Sequence, residues 1–245
     1  YFNGFVSNFA FVSLDEDGTA MYRATLRPWL WFLTHASDCR IHPFQKKDVQ
    51  QICEQVFSDH GFSDYRFDIK DSYQTREYCV QYRESDFNYV SRLLEEEGIF
   101  YYFLHENGRH ELVIADPMST LPTFAGYEEI PYYGEMGSGE PEEHITRWIV
   151  ETELQSGGYA LNDFDFEAPS TNLLTNALAE RDHAVSGIKR YDYPGLYTKF
   201  EEGDRRAKVR LEEVQGAHTT ITAEGNARGL APGHIFKLTD RLEDP

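Results

Sequence analysis

Residues 22–31 read Tyr-Arg-Ala-Thr-Leu-Arg-Pro-Trp-Leu-Trp and residues 37–41 read Ser-Asp-Cys-Arg-Ile. Residues 77–88 read Glu-Tyr-Cys-Val-Gln-Tyr-Arg-Glu-Ser-Asp-Phe-Asn, and residues 91–103 read Ser-Arg-Leu-Leu-Glu-Glu-Glu-Gly-Ile-Phe-Tyr-Tyr-Phe. Between the second and third pieces, Val49, Ile52, Cys53, Val56 and Phe57 recur at i, i+3, i+4, i+7 and i+8, one apolar stripe, so residues 47–60 are a predicted helix. Gly61 stands where a left-handed cap belongs. The order is strand, helix, strand, and it spells no reactive-group geometry.

Working outward, residues 1–34 read as strands around the turn cluster Asp15-Glu16-Asp17-Gly18. The second of them covers residues 21–32, with Pro28 marking an edge or a bulge. A second helix is expected over residues 85–97. Ser85 or Asp86 caps it, Phe87, Val90, Leu93 and Leu94 form its buried face, and Gly98 stops it. Glu95, Glu96 and Glu97 sit at its carbonyl end, where the macrodipole disfavours anions by roughly 0.3–1 kcal/mol each; Arg92 offsets part of that.

Residues 99–105 and 110–115 flank Asn107-Gly108, a type I′ hairpin signal. The implied register puts Phe103 opposite Leu112 and Tyr101 opposite Ile114, with Phe100, Tyr102, Val113 and Ala115 on the other face. Both faces are apolar, so both should be covered. Residues 116–139, rich in Pro and Gly, read as a connector. Beyond it, residues 144–153, 158–166, 218–223 and 234–238 read as strands and 204–214 as a helix. Residues 171–186 fit either a helix or an extended arm.

Composition narrows the function classes. With 42 Asp plus Glu against 23 Lys plus Arg, the net charge of −19 repels DNA, RNA and anionic membrane. The three cysteines, Cys39, Cys53 and Cys79, have no metal-ligand spacing and no disulfide-scaffold count, and read as small buried apolar residues. The 16 Tyr and 17 Phe suit pleated surfaces and interfaces.

Four constellations carry potential chemistry. His105 and His110 should face each other across the hairpin, but a metal needs a third ligand that the sequence does not offer. Asp163, Asp165 and Glu167 alternate with Phe164 and Phe166, so one strand face would carry three carboxylates. Such a row could run glycan hydrolysis, or be a wet face opposite a buried Phe pair. Cys79 has Arg76 and Arg83 near in sequence but no His, which favours packing over nucleophilic attack. Trp29 and Trp31 would share a strand face, as a sugar platform or as core and interface. No catalytic, cofactor-binding or metal residue is assigned on this reading.

The quoted stretch resembles the VgrG family, the spike proteins of type VI secretion related to the baseplate hub of contractile phage tails. Later segments resemble the same family: Asn-Asp-Phe-Asp-Phe-Glu-Ala-Pro at residues 162–169, Tyr-Asp-Tyr-Pro-Gly-Leu-Tyr at 191–197 and Gly-Leu-Ala-Pro-Gly-His-Ile-Phe-Lys-Leu at 229–238. The resemblance implies an α+β, mainly β fold: two related β-barrel domains flanking an α+β insertion, three protomers making a ring. Residues 1–35 would be the C-terminal part of the first barrel, 36–125 the insertion and 126–245 the second barrel region. The chain is expected to begin inside the first barrel and to stop before an OB-like domain and a β-needle.

The implied function is structural, not enzymatic: a homotrimer that caps the hexameric Hcp tube and carries a membrane-puncturing needle and effectors into target cells. Adaptor and needle-tip proteins are further implied partners, no cofactor is implied, and target membrane is penetrated transiently by the full-length protein. It would be assembled in the cytoplasm and exported through the type VI apparatus. The alternatives are a phage tail baseplate hub and a carboxylate-based cell-wall glycan hydrolase.

Overall fold

The computed structural model describes residues 1–40, 45–117, 120–134, 142–179 and 186–240. The chain divides into two compact units, Tyr1–Thr120 and Leu121–Pro245. It is mainly β, and no sheet among the described residues closes on itself.

The first unit opens with β1 (Phe5–Leu14) and β2 (Ala20–Arg27), an antiparallel ribbon. Asp15 turns the chain: its Oδ1 accepts from the amides of Asp17 and Thr19 at 3.1 and 2.7 Å. Residues 28–32 correct the expected strand. Pro28 has no N–H to continue a ladder, and the chain winds instead into a 3-10 helix, Trp29–Thr34, closed by the Trp31 amide donating to the Pro28 carbonyl at 3.0 Å. Then come β3 (Ser37–Arg40), α1 (Val49–Asp59), β4 (Tyr65–Asp68), β5 (Gln81–Ser85), α2 (Asp86–Glu97), β6 (Phe100–Glu106) and β7 (Arg109–Ala115). β3 pairs with β5, and the sheet order is β4-β7-β6.

The helices form for the expected reasons. Asp48 and Gln51 make a reciprocal capping box on α1. Ser85 caps α2, accepting from the Asn88 amide at 3.1 Å, and Gly61 and Gly98 take left-handed φ past the two C-termini. The α1 stripe Val49, Ile52, Cys53, Val56 and Phe57 is wholly buried against Trp29, Leu30 and Leu33 of the 3-10 helix, Val90, Leu93 and Leu94 of α2, and Leu112 and Ile114 of β7. Phe87 is only half-buried, and Tyr89, not foreseen, is fully inside. The hairpin has the expected register, Phe103 opposite Leu112 and His105 opposite His110. Only Gly108 has positive φ, so the turn is not type I′. β4 adds a parallel strand to β7 that the sequence pattern did not announce.

Two polar clusters tie this layer together. Asp86 is buried at the start of α2; it accepts from Gln81 Nε2 at 2.5 Å, lies 2.5 Å from His60 Nε2 and pairs with Arg40 at 3.2 Å. Burial alone would raise its carboxyl pKa, but the Gln81 and His60 hydrogen bonds and the Arg40 charge outweigh it and hold it below the ordinary value. The second cluster answers two of the three glutamates at the α2 carbonyl end. Arg76 reaches in from the preceding loop and pairs with Glu96 and Glu97 at 2.6 Å each, while Arg92 adds a longer bond to Glu96 at 3.2 Å.

The second unit contains β8 (Glu129–Tyr132), β9 (Ile145–Thr152), β10 (Gly158–Leu161), β11 (Thr175–Leu178), β12 (Lys189–Asp192), α3 (Phe200–Gly216), β13 (Thr219–Gly225) and β14 (Lys237–Asp240). Its sheets are ordered β13-β9-β8-β14 and β11-β10-β12. β8 lies in the expected connector, and residues 118–119 and 135–139 of that connector lie outside the described residues. The ambiguous stretch 171–186 forms the strand β11, with residues 180–185 outside the described set.

α3 buries Ala207 and Leu211 against Leu161, Leu173, Ala177 and Tyr197. The Tyr197 ring is the keystone of this small core. A Cβ on either Gly195 or Gly203 would sit 2.3 Å from it, so both positions need a residue without one. The Tyr197 hydroxyl donates to the Leu173 carbonyl at 2.6 Å, and its amide to Asp163 Oδ2 at 3.2 Å.

Arg76→Ala leaves the Glu97 carboxylate buried without its cation. It should cost about 3–5 kcal/mol, read as a lower midpoint in urea unfolding, whereas Arg92→Ala, at a half-exposed side chain, should cost far less.

Candidate assembly interface

The feature that most calls for a function is the β1–β2 ribbon. Paired residues in an antiparallel ladder point to the same side. The register pairs Val6 with Leu26, Phe9 with Ala24, Phe11 with Tyr22 and Leu14 with Ala20, all on one side. The other side carries Phe5 with Arg27, Asn8 with Thr25, Ala10 with Arg23 and Ser13 with Met21. One face is therefore entirely apolar and the opposite one mostly polar.

Strict period-two alternation would not produce this. Register shifts at Ser7 and at Val12 insert one residue each into β1, and each shift flips the parity of the residues beyond it. The two bulges bring Val6, Phe9, Phe11 and Leu14 to one side although their spacing is three, two and three. Phe9 and Tyr22 stack at 5.2 Å, and Phe11 meets Tyr22 edge-on at 5.8 Å. Even so, Phe9 remains 64% and Phe11 58% exposed. Burying such a side chain completely is worth roughly 1.5–3 kcal/mol, and a lone two-stranded ribbon is marginal in water.

The base of the ribbon is fastened to the rest of its unit by two histidines. His110 Nε2 accepts the Trp29 amide at 2.9 Å, and its Nδ1 lies 2.7 Å from Asn3 Oδ1, which fixes the proton on Nδ1. His105 Nδ1 accepts the Asn3 amide at 3.2 Å. The rings face each other with centroids 6.0 Å apart, as the hairpin register required. No group of three or more His, Cys, Asp or Glu side chains among the described residues is arranged to hold a metal. Burial, and then the nearby His105, push the His110 pKa below its ordinary value, against the opposing pull of Asp64.

The other sequence-derived candidates disperse. Trp29 and Trp31 are not strand neighbours: Trp29 is buried, stacked on Phe62 at 4.6 Å, and Trp31 is half-buried on the 3-10 helix. Cys79 is buried with its Sγ 3.1 Å from the Tyr89 hydroxyl; Arg76 is engaged by glutamates, and Arg83 lies over the Tyr82 ring. Cys39, expected inside, is exposed on β3.

β10 ends at Leu161, so Asp163, Asp165 and Glu167 share no strand face. Asp163 Oδ1 accepts the Phe164 amide and Asp165 Oδ1 the Glu167 amide, local turns that compete with a ladder. Phe166 is 80% exposed, not half of a buried pair. The structure instead joins two stretches that the sequence showed far apart, since Asn162 and Asp163 hold the main chain of Gly195 and Tyr197.

Acid should loosen the ribbon. The folded-state pKa of His110 is depressed, so as pH falls through about 6.5 the unfolded chain takes up the proton first and stability is lost. Above that pH the neutral ring is the ground state of both forms and the fastening is intact. The thermal midpoint should fall between pH 7.5 and 5.5, and the slope should be shallower in His110→Gln.

The phage tail baseplate hub (GPD) family model matches residues 1–245. The chain is 44% identical over 220 residues to the type VI secretion system spike protein VgrG1b of Pseudomonas aeruginosa, covering 90% of this chain and 29% of that one. It is 42% identical over 240 residues to VgrG1c of the same organism, covering 98% and 33%. It thus spans about a third of the length of these relatives. The fold matches that of the E. coli c3393 protein, a type VI secretion component similar in structure to the T4 bacteriophage tail proteins gp27 and gp5. The TM-score is 0.64 at 19% identity, covering 99% of this chain and 51% of that one. The chain belongs to the phage tail baseplate hub (GPD) family.

Proposed function

We propose that this chain is the hub region of a type VI secretion spike, a rigid coupling with no chemistry of its own. Three copies would surround a common axis, cap the Hcp tube, and hold the needle and its effectors while a sheath contracts. In this reading residues 1–35 end the first barrel, residues 36–125 form the insertion and residues 126–245 the second barrel. The spike is assembled in the cytoplasm and leaves through the secretion apparatus. Adaptors and a needle-tip protein are further partners of the full-length protein.

The observation that carries this reading is the apolar face of β1–β2. A face of eight paired residues, none of them polar, with two aromatic rings stacked and still wet, suits the inner side of a barrel wall closed by further strands. The bulges support it, because they curve and twist a ribbon as a barrel needs. On the second unit, Val150 and Ile221 face each other across β9–β13 and stay exposed, another apolar strip left for assembly. The likeness to spike proteins at 42–44% identity favours secretion. The family itself keeps a phage tail baseplate hub as the second reading.

Light scattering of the full-length protein should give three times the chain mass. Phe9→Asp with Phe11→Asp should abolish the trimer while leaving the tryptophan fluorescence of the chain native. A wild-type protein that stays monomeric at all concentrations would refute the coupling.

A further inference from the structure

β6 is one of the two outer strands of the β4-β7-β6 sheet. Exposed edges invite a new strand, and natural proteins blunt them with Lys, Pro, bulges or charge. β6 has none of these before its last residue; residues 100–104 read Phe-Tyr-Tyr-Phe-Leu, a run that favours pairing. Its hairpin closes with a two-residue turn, so Glu106 and Arg109 exchange main-chain bonds and every second pair does the same. The N–H and C=O groups of Tyr101 and Phe103 then point away from β7, and among the described residues they find no partner.

Beside this edge runs a groove of about 570 Å³ between β6 and α2, lined by Phe87, Leu94, Glu95, Ile99, Phe100 and Tyr101. Phe87, Tyr101 and Phe103 are the flank of the core that this side leaves half-covered. The charges of the groove differ in their commitments. Arg92 is bound to Glu84 and Glu96. Glu95 is exposed and carries no ion pair among the described residues, and it sits at the carbonyl end of α2, which adds negative potential.

We propose that this edge and groove receive an extended segment of a different protein, added as a strand beside β6. Its apolar side chains would cover Phe87 and Tyr101, and a Lys or Arg would reach Glu95. Main-chain bonds supply affinity in such strand addition and the alternate side chains supply selection. Complementarity sets the charge of the occupant: the groove offers a free carboxylate and no free cation, on a chain of net charge −19.

The probe is a short acetylated, fluorescein-labelled peptide alternating valine with lysine, titrated into the whole chain and followed by anisotropy. Saturable binding is expected, together with slowed amide exchange in residues 100–104. Glu95→Lys should weaken it about tenfold. Glu16→Lys, which changes the net charge equally on the distal β1–β2 turn, should leave it unchanged. The same peptide N-methylated along one edge should not bind.

The proposal is overturned if binding is absent, or if the two lysine variants weaken it alike, which would mean attraction to net charge only. Retention of the N-methylated peptide would overturn it too. So would protection of β6 that depends on protein concentration with no peptide present, because the occupant would then be a second copy.

Discussion

A single buried carboxylate organises the first unit. Asp86 begins α2, and its oxygens meet a guanidinium from β3, an amide from β5 and the imidazole just past the end of α1. Its own amide donates to the Ala36 carbonyl at 2.9 Å, just before β3. Three stretches distant in sequence, residues 36–40, His60 and residues 81–86, are thereby fixed at one point. Removing an ion from water costs several kcal/mol, so such a point is tolerable only because every oxygen is engaged. The apolar layer of Phe57, Tyr89 and Leu93 can pack only with these segments in register, since core contacts are short-ranged and a shift of an ångström forfeits them.

This interior contrasts with the surface of the same unit. Behind Asp86 the two helices bury Ile52, Val56, Phe57, Tyr89 and Leu93 almost completely, yet in β1–β2 the chain leaves a whole apolar face in water. A chain that cannot fold well would show both faults everywhere. Here they are segregated: finished packing between the helices, unfinished packing in the ribbon and along the β6 edge. The distribution is that of a part shaped to be completed by other surfaces, and a scattering of reactive side chains is not needed to explain any of it. Arg40, Arg76 and Arg92 are each tied to carboxylates and serve the packing.

Much of this was legible in the sequence where signals were local. The α1 stripe, the Ser85 cap and the hairpin register arise from spacing and turn chemistry, and each occurs where expected. The misreadings arose where one local rule yielded to another. Trp29 and Trp31 have strand spacing, but Pro28 ends the ladder before them. Asp163, Asp165 and Glu167 have strand spacing, but Asp163 and Asp165 turn the backbone by capturing amides. Long-range partners left no local mark at all. Arg76 gives no hint in the sequence that it answers Glu97, nor does Tyr197 that it lodges between Gly195 and Gly203. The apolar face of the ribbon was hidden because two bulges, invisible in a pattern of period two, decide which side each Phe takes.

Those bulges make the ribbon unusually sensitive to length. Replacing one apolar residue of β1 by another leaves the geometry standing. Losing a single residue between Ser7 and Val12 would turn Val6 or Leu14 toward the polar side relative to its neighbours, and half the stripe would face the wrong way. This segment is therefore tolerant of spelling and intolerant of counting: one hydrocarbon can replace another, while the number of peptide units between the two kinks is set by the geometry.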